Sequence, residues 1–133
     1  MFHSHIYRTT LTLIVLIGGA LLARPVLAQN EVSAFMKAKL VHAEKVLEGL
    51  ATEDFNLIAK HSQAISLLCE DELWSVLKTA EYHERSQEFR RSVDAITDAA
   101  RKKNLEGAAL AYVNTTLSCV NCHKYVRKNK SGR

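Results

Sequence analysis

The sequence predicts an all-α fold: an antiparallel up-down-up-down bundle of four helices. Three observations carry that expectation. The lone proline, Pro25, leaves Val26 to Arg133 without a helix breaker. Beyond it, glycine occurs only at Gly49, Gly107 and Gly132, whereas β-rich domains need turn residues about every 8 to 12 positions. Apolar residues also recur at spacings of three and four in four successive segments.

The first of these segments is Glu31 to Leu50, with Val32, Phe35, Met36, Leu40, Ala43, Val46, Leu47 and Leu50 on its expected inner stripe and Asn30 as its N-cap. Thr52 is expected to cap the second helix, with Glu53 and Asp54 at its positive end and Phe55, Ile58, Ala64, Ile65 and Leu68 inward, ending near Cys69. Glu70 to Lys78 holds Leu73, Trp74, Val76 and Leu77 in a polar frame and reads as a longer connection. A third helix is expected after Thr79 as far as about Lys103, with Phe89, Val93, Ile96 and Ala100 inward. Asn104 takes the turn. The last helix, Leu105 to Lys128, carries Ala109, Tyr112, Val113, Thr116, Leu117 and Val120 at helical spacing. Two short connections and one longer one suit a four-helix bundle.

With 133 residues, 47% hydrophobic and 24% charged, the chain is one ordinary domain. That composition excludes a disordered or collagen-like protein. At the N-terminus, Arg8 precedes a run of 13 apolar or small residues, Leu11 to Ala23, broken only by Thr12. Val26, Leu27 and Ala28 form the small-residue pattern of a signal peptidase site, so residues 1–28 are expected to be a cleaved export signal and 29–133 the mature domain. A membrane anchor is the competing reading, but a spanning helix needs about 20 apolar residues and Arg24 with Pro25 interrupts this one.

Removing Arg8 and Arg24 lowers the formal charge from +4 to +2. Most of that remaining basicity lies in Lys124, Arg127, Lys128, Lys130 and Arg133. This tail is either simply solvated or docks an acidic partner surface by electrostatic steering. Nucleic acid is not an expected partner, because no basic stripe with interleaved aromatics is present.

The chemistry concentrates in Cys119-Val120-Asn121-Cys122-His123. At about 100° per residue, Cys119, Cys122 and His123 fall within an arc of roughly 100° on one helix face. A C-x-x-C-H run is the attachment signature of c-type haem. In that chemistry the two thiols add across the haem vinyl groups, and the adjacent histidine reaches the iron. A thioredoxin-like redox pair also uses C-x-x-C, but it belongs beside a βαβ unit that this chain lacks. A zinc site would have to borrow Cys69 or another histidine to reach four ligands. A plain Cys119–Cys122 disulfide would leave His123 unexplained.

The length, the helix order, the export signal and this motif resemble the cytochrome c′ family and its low-spin, methionine-ligated relatives. Family members follow the histidine with two variable residues, a tyrosine and a basic residue. This chain reads Lys124, Tyr125, Val126, Arg127, so Arg127 keeps the basic position and Tyr125 stands one place early. The resemblance implies one haem c per chain, packed near one end of the bundle. Cys119 and Cys122 are then its covalent tethers, His123 the axial iron ligand on the solvent-leaning side, and the first helix the cover of the distal face.

On that first helix Met36 is the implied sixth ligand, being the one methionine of the mature chain, with Leu40 beside it in the distal pocket. Met36 as plain core filler is the alternative. In five-coordinate family members an apolar distal residue leaves the iron open to nitric oxide or carbon monoxide. Phe35, Phe55, Trp74, Phe89 and Tyr112 are core aromatics first and ring neighbours second. His42, His61 and His83 are further sixth-ligand candidates, each with polar or charged residues close by. Cys69 is left unpaired and is expected to be buried.

The sequence therefore leads to an exported, periplasmic or otherwise extracytoplasmic monohaem c-type cytochrome that passes one electron at a time to redox partner proteins. No catalytic residue is assigned, and a homodimer is implied by the resemblance. The alternatives are a gas-binding haem protein with an open distal site and, in a different class, a thiol-redox or zinc-binding helical protein.

Overall fold

The computed structural model describes residues 24–72 and 79–130. By its internal contacts the chain divides into two compact units, Met1–Ser33 and Ala34–Arg133. The hydrophobic core lies within the second. The apolar run Leu11–Ala23 and the cluster Leu73, Trp74, Val76 and Leu77 lie outside the described residues.

Four helices follow in order: α1 Arg24–Thr52, α2 Phe55–Glu72, α3 Ala80–Arg101 and α4 Leu105–Lys130. No strand occurs among the described residues, and none of their helices is long and apolar enough to cross a membrane. Cross-helix pairs run in opposite directions along each neighbouring couple. Ser62 meets Thr97, Ser66 meets Asp94 and Glu70 meets Arg90 between α2 and α3. Thr79 meets Tyr125 and Ser92 meets Thr115 between α3 and α4. Each of these neighbours is therefore antiparallel.

The two short connections are built alike. Glu53 (φ 56°) and Lys103 (φ 53°) adopt the left-handed conformation just past the ends of α1 and α3. Asp54 N–H then bonds Gly49 C=O at 2.9 Å, and Asn104 N–H bonds Ala99 C=O at 3.0 Å. These bonds satisfy carbonyls that a helix end leaves without partners. The next side chain caps the following helix: Asp54 Oδ1 accepts from Leu57 N–H, and Asn104 Oδ1 from Gly107 N–H, both at 2.9 Å. Asn104 thus takes the expected turn, and Thr79 caps α3 by accepting from Tyr82 N–H.

Two boundary expectations are corrected. The cap of α2 is Asp54, because Thr52 remains in α1 with its hydroxyl donated to Glu48 C=O at 2.9 Å. The helical backbone of α1 begins at Arg24, so Asn30 lies inside it. Pro25 is compatible with that start, since the first turn of a helix leaves its N–H groups unused.

The core consists of Val46, Ile58, Ile65, Cys69, Val93, Ile96, Ala100, Ala108 and Ala111. Fully burying each of the three isoleucines contributes about 1.5–3 kcal/mol. The α2 and α3 stripes lie as their periodicity indicates. On α4 the expectation fails: Val113, Leu117 and Val120 are exposed, as is Leu110, and the inner face is the small-residue line Ala108, Ala111, Thr115. Small side chains let α4 approach α3 closely enough for Thr115 Oγ1 to reach Ser92 Oγ at 3.0 Å. Among the described residues the buried hydroxyls are all satisfied, with Ser62 bonding both Ile58 C=O and Thr97 Oγ1.

Gly49 marks the close crossing of α1 over α2. A Cβ there would stand 2.8 Å from Ile58 Cγ1 and 3.1 Å from Ile58 N. Gly49→Ala is therefore expected to lower stability by about 1–2 kcal/mol, overpacking outweighing the helix-propensity gain. Lys103→Gly is expected to raise it by up to about 1 kcal/mol by relieving the left-handed backbone. Denaturant unfolding of both variants checks the opposite signs.

Candidate functional site

The small-residue face of α4 continues along the helix into the cysteine motif. Past Ala108, Ala111 and Thr115, the residues still partly buried are Ser118, Cys119, Cys122, Tyr125 and Val126. Cys119 and Cys122 thus lean inward one turn apart, while Val120, Asn121 and His123 are exposed. None of the three cysteines is in a disulfide. Burial pushes the thiols of Cys119 and Cys122 upward, and the nearby Lys39 ammonium partly opposes this. Both are accordingly protonated thiols near neutrality and poor nucleophiles until deprotonated.

Lys39 is the residue that the sequence analysis missed. It is half-buried on α1, and its charge acts on the Cys69 thiol. Its Nζ also lies 5.0 Å from the centre of the Phe89 ring. Burial pushes Lys39 below its ordinary value, with the three cysteines acting in the opposite direction. The signal was present in the spacing, because Lys39 stands two turns before Val46, which is fully buried. A lysine's long apolar stem suits such a position.

Cys69 is buried, as expected, and donates to Ile65 C=O at 3.2 Å. Burial raises its thiol as well. Tyr82, 1% exposed, lies close enough to Cys69 and Cys122 to feel both.

The other expected site residues fall into three groups. Met36 is half-buried on α1, whereas Leu40 is 61% exposed, turned about 100° away from Lys39. The expected place of Leu40 in the interior is therefore held by Lys39. Arg127 is exposed on α4. Tyr125 bonds Thr79 Oγ1 at 2.9 Å and carries the Arg85 guanidinium 5.2 Å from its ring centre. It ties the far end of α4 to the start of α3.

His42 and His61 face each other, Nδ1 to Nδ1 at 2.8 Å, and His83 lies against Tyr82 with ring centres 6.2 Å apart. Phe35, Phe55, Phe89 and Tyr112 are half-buried. The Tyr112 hydroxyl donates to Ala43 C=O at 3.2 Å, joining α4 to α1. Among the described residues, no three of His, Cys, Asp and Glu stand together as ligands for a metal ion.

The fold is that of cytochrome c′. A ferrous variant of cytochrome c prime from Alcaligenes xylosoxidans superposes with a TM-score of 0.55 over 73% of this chain and 94% of its own, at 17% identity. The nitric oxide complex of a mutant of the same protein gives the same score and identity, over 73% of this chain and 92% of its own. No family model matches the sequence, and no curated protein does.

The histidine pair has a pH signature. Burial, followed by the charge of His42, holds His61 below the ordinary histidine value of 6.5. The unfolded chain therefore binds a proton more readily, and stability falls as pH drops from 7 through 6.5 toward the lowered value. His61→Asn is expected to flatten that slope in urea titrations taken between pH 7 and 5; an unchanged slope would contradict it.

Proposed function

We propose that this chain is an exported monohaem c-type cytochrome that transfers single electrons. The carrying observation is that Cys119 and Cys122 turn inward one turn apart on α4, with His123 adjacent, in a chain with the cytochrome c′ fold. The donor set fits the group: two thiols on the interior side of one helix, followed directly by an imidazole. Bound haem supplies one-electron exchange between ferric and ferrous iron.

The chain's own residues hold and tune that group. Cys119 and Cys122 would tether it by thioether bonds, and His123 would supply an imidazole to its iron. Tyr82, 1% exposed, and half-buried Phe89 would line the α3 side of the site. The exposed Lys124, Arg127 and Lys128 on the last turns of α4 present positive charge to an acidic redox partner. Export agrees with the N-terminal pattern, because c-type haem is attached outside the bacterial cytoplasmic membrane.

A second reading keeps the same tether but leaves the distal side for nitric oxide or carbon monoxide. The nitric oxide complex of the Alcaligenes protein favours it. Under either reading a homodimer is supported by Leu40 and Leu47 on α1 and Leu67 on α2, which are 61%, 53% and 57% exposed. Light scattering of the purified protein is expected to give twice the chain mass.

Expression in a bacterial host with its c-type haem maturation machinery tests the tether. The exported protein is expected to be coloured, to keep its colour through acid-acetone extraction and to begin at Gln29. Cys119→Ala with Cys122→Ala is expected to lose covalent colour, and Cys69→Ala to keep it. A colourless protein with both motif thiols open to alkylation would refute the proposal.

A further inference from the structure

Resting on the haem reading above, we propose that Lys39 occupies the distal side of the site and that its ε-amine, not the Met36 thioether, ligates the ferric iron. A ring tethered to Cys119 and Cys122 must lie on the side to which those two sulfurs lean. The Lys39 amine lies on that same side, close enough to Cys69, Cys119 and Cys122 to shift all three thiols. It comes from α1, whereas His123 comes from α4. The two nitrogen donors would therefore come from different helices.

The register of α1 favours Lys39 over its neighbours. Val46, at 0% exposure, marks the centre of the inner stripe, and a residue seven positions earlier is only about 20° from it. Met36 is displaced from Lys39 by about 60° toward the edge of that stripe. Leu40 is turned to solvent, and His42 is engaged with His61. Cys69 is the other nearby donor atom, but it is 4% exposed and its thiol already donates to Ile65 C=O. The Phe89 face, 5.0 Å from Nζ, holds the half-buried lysine against α3.

Burial lowers the proton affinity of Lys39, which favours the neutral amine with its lone pair available. Coordination is balanced without any redox partner: the ammonium releases one proton to solvent, and the nitrogen lone pair forms the bond to iron. The oxidation state of the metal does not change in that step.

The test is the spin state of the coloured, covalently loaded protein at mildly alkaline pH, read by absorption, electron paramagnetic resonance and near-infrared magnetic circular dichroism. The native ferric protein is expected to be low-spin, with the charge-transfer band of imidazole–amine ligation. Lys39→Ala and Lys39→Arg are expected to become high-spin, and Met36→Ala to remain low-spin. The arginine variant keeps the charge and most of the volume, so it separates ligation from packing if the alanine variant folds poorly.

The proposal is overturned if the native ferric protein is high-spin, if both Lys39 variants stay low-spin, or if Met36→Ala or Cys69→Ala alone removes the low-spin signal. Covalent colour in any of those outcomes leaves the haem reading standing. Absence of covalent colour overturns the haem reading and Lys39 ligation with it.

Discussion

The rotational register of α4 is the constraint on which the site depends. Ala108, Ala111 and Thr115 fix that helix against α3, and the same turn-by-turn line carries Cys119 and Cys122 inward while leaving His123 exposed. A rotation of about half a turn, at about 100° per residue, would bury Leu117 and Val120 and turn the thiols toward water. Close approach, held by the Thr115–Ser92 bond and ended by the Tyr125–Thr79 bond, keeps the larger side chains outside. The pattern that packs the helix is therefore also the pattern that aims its chemistry.

The bundle is dry at one end and chemically furnished at the other. Near the two short connections Val46, Ile58, Ile96, Ala100 and Ala108 are almost wholly buried. Toward Cys122, apart from buried Cys69 and Tyr82, the interior is shared by half-buried groups: Met36, Lys39, Phe89, Cys119 and Cys122. A lysine among three thiols contributes little to stability, since burying a charge is costly. Under the proposed ligation the same burial makes its amine a better donor. The same low-dielectric surroundings that raise the thiols lower the amine.

Much of this was legible in the sequence. The absence of breakers and the 3–4 spacing specified four helices, and Thr79 and Asn104 marked two of their boundaries. The C-x-x-C-H run singles out the candidate site residues directly, because its spacing is set by the chemistry and not by packing. The α2 and α3 stripes were readable because Ile58, Ile65, Val93 and Ile96 are both strongly apolar and inner, with exposed Leu67 the exception. On α4 that relation breaks: hydrophobicity points to Val113 and Leu117, but close helix contact selects alanine and threonine. Lys39 was missed for the related reason that residue polarity conceals an apolar stem. Asp54 replaced Thr52 as cap because a left-handed residue, Glu53, extends the turn by two positions.

The central claim is that Cys119 and Cys122 carry haem through covalent bonds. Intact-mass measurement of the exported protein, followed by peptide mapping of the segment that spans residues 119–123, tests it most directly. The account requires a mass increase of one haem, located on that peptide with both cysteine sulfurs consumed. An unmodified peptide from soluble, helical, properly exported protein would contradict it.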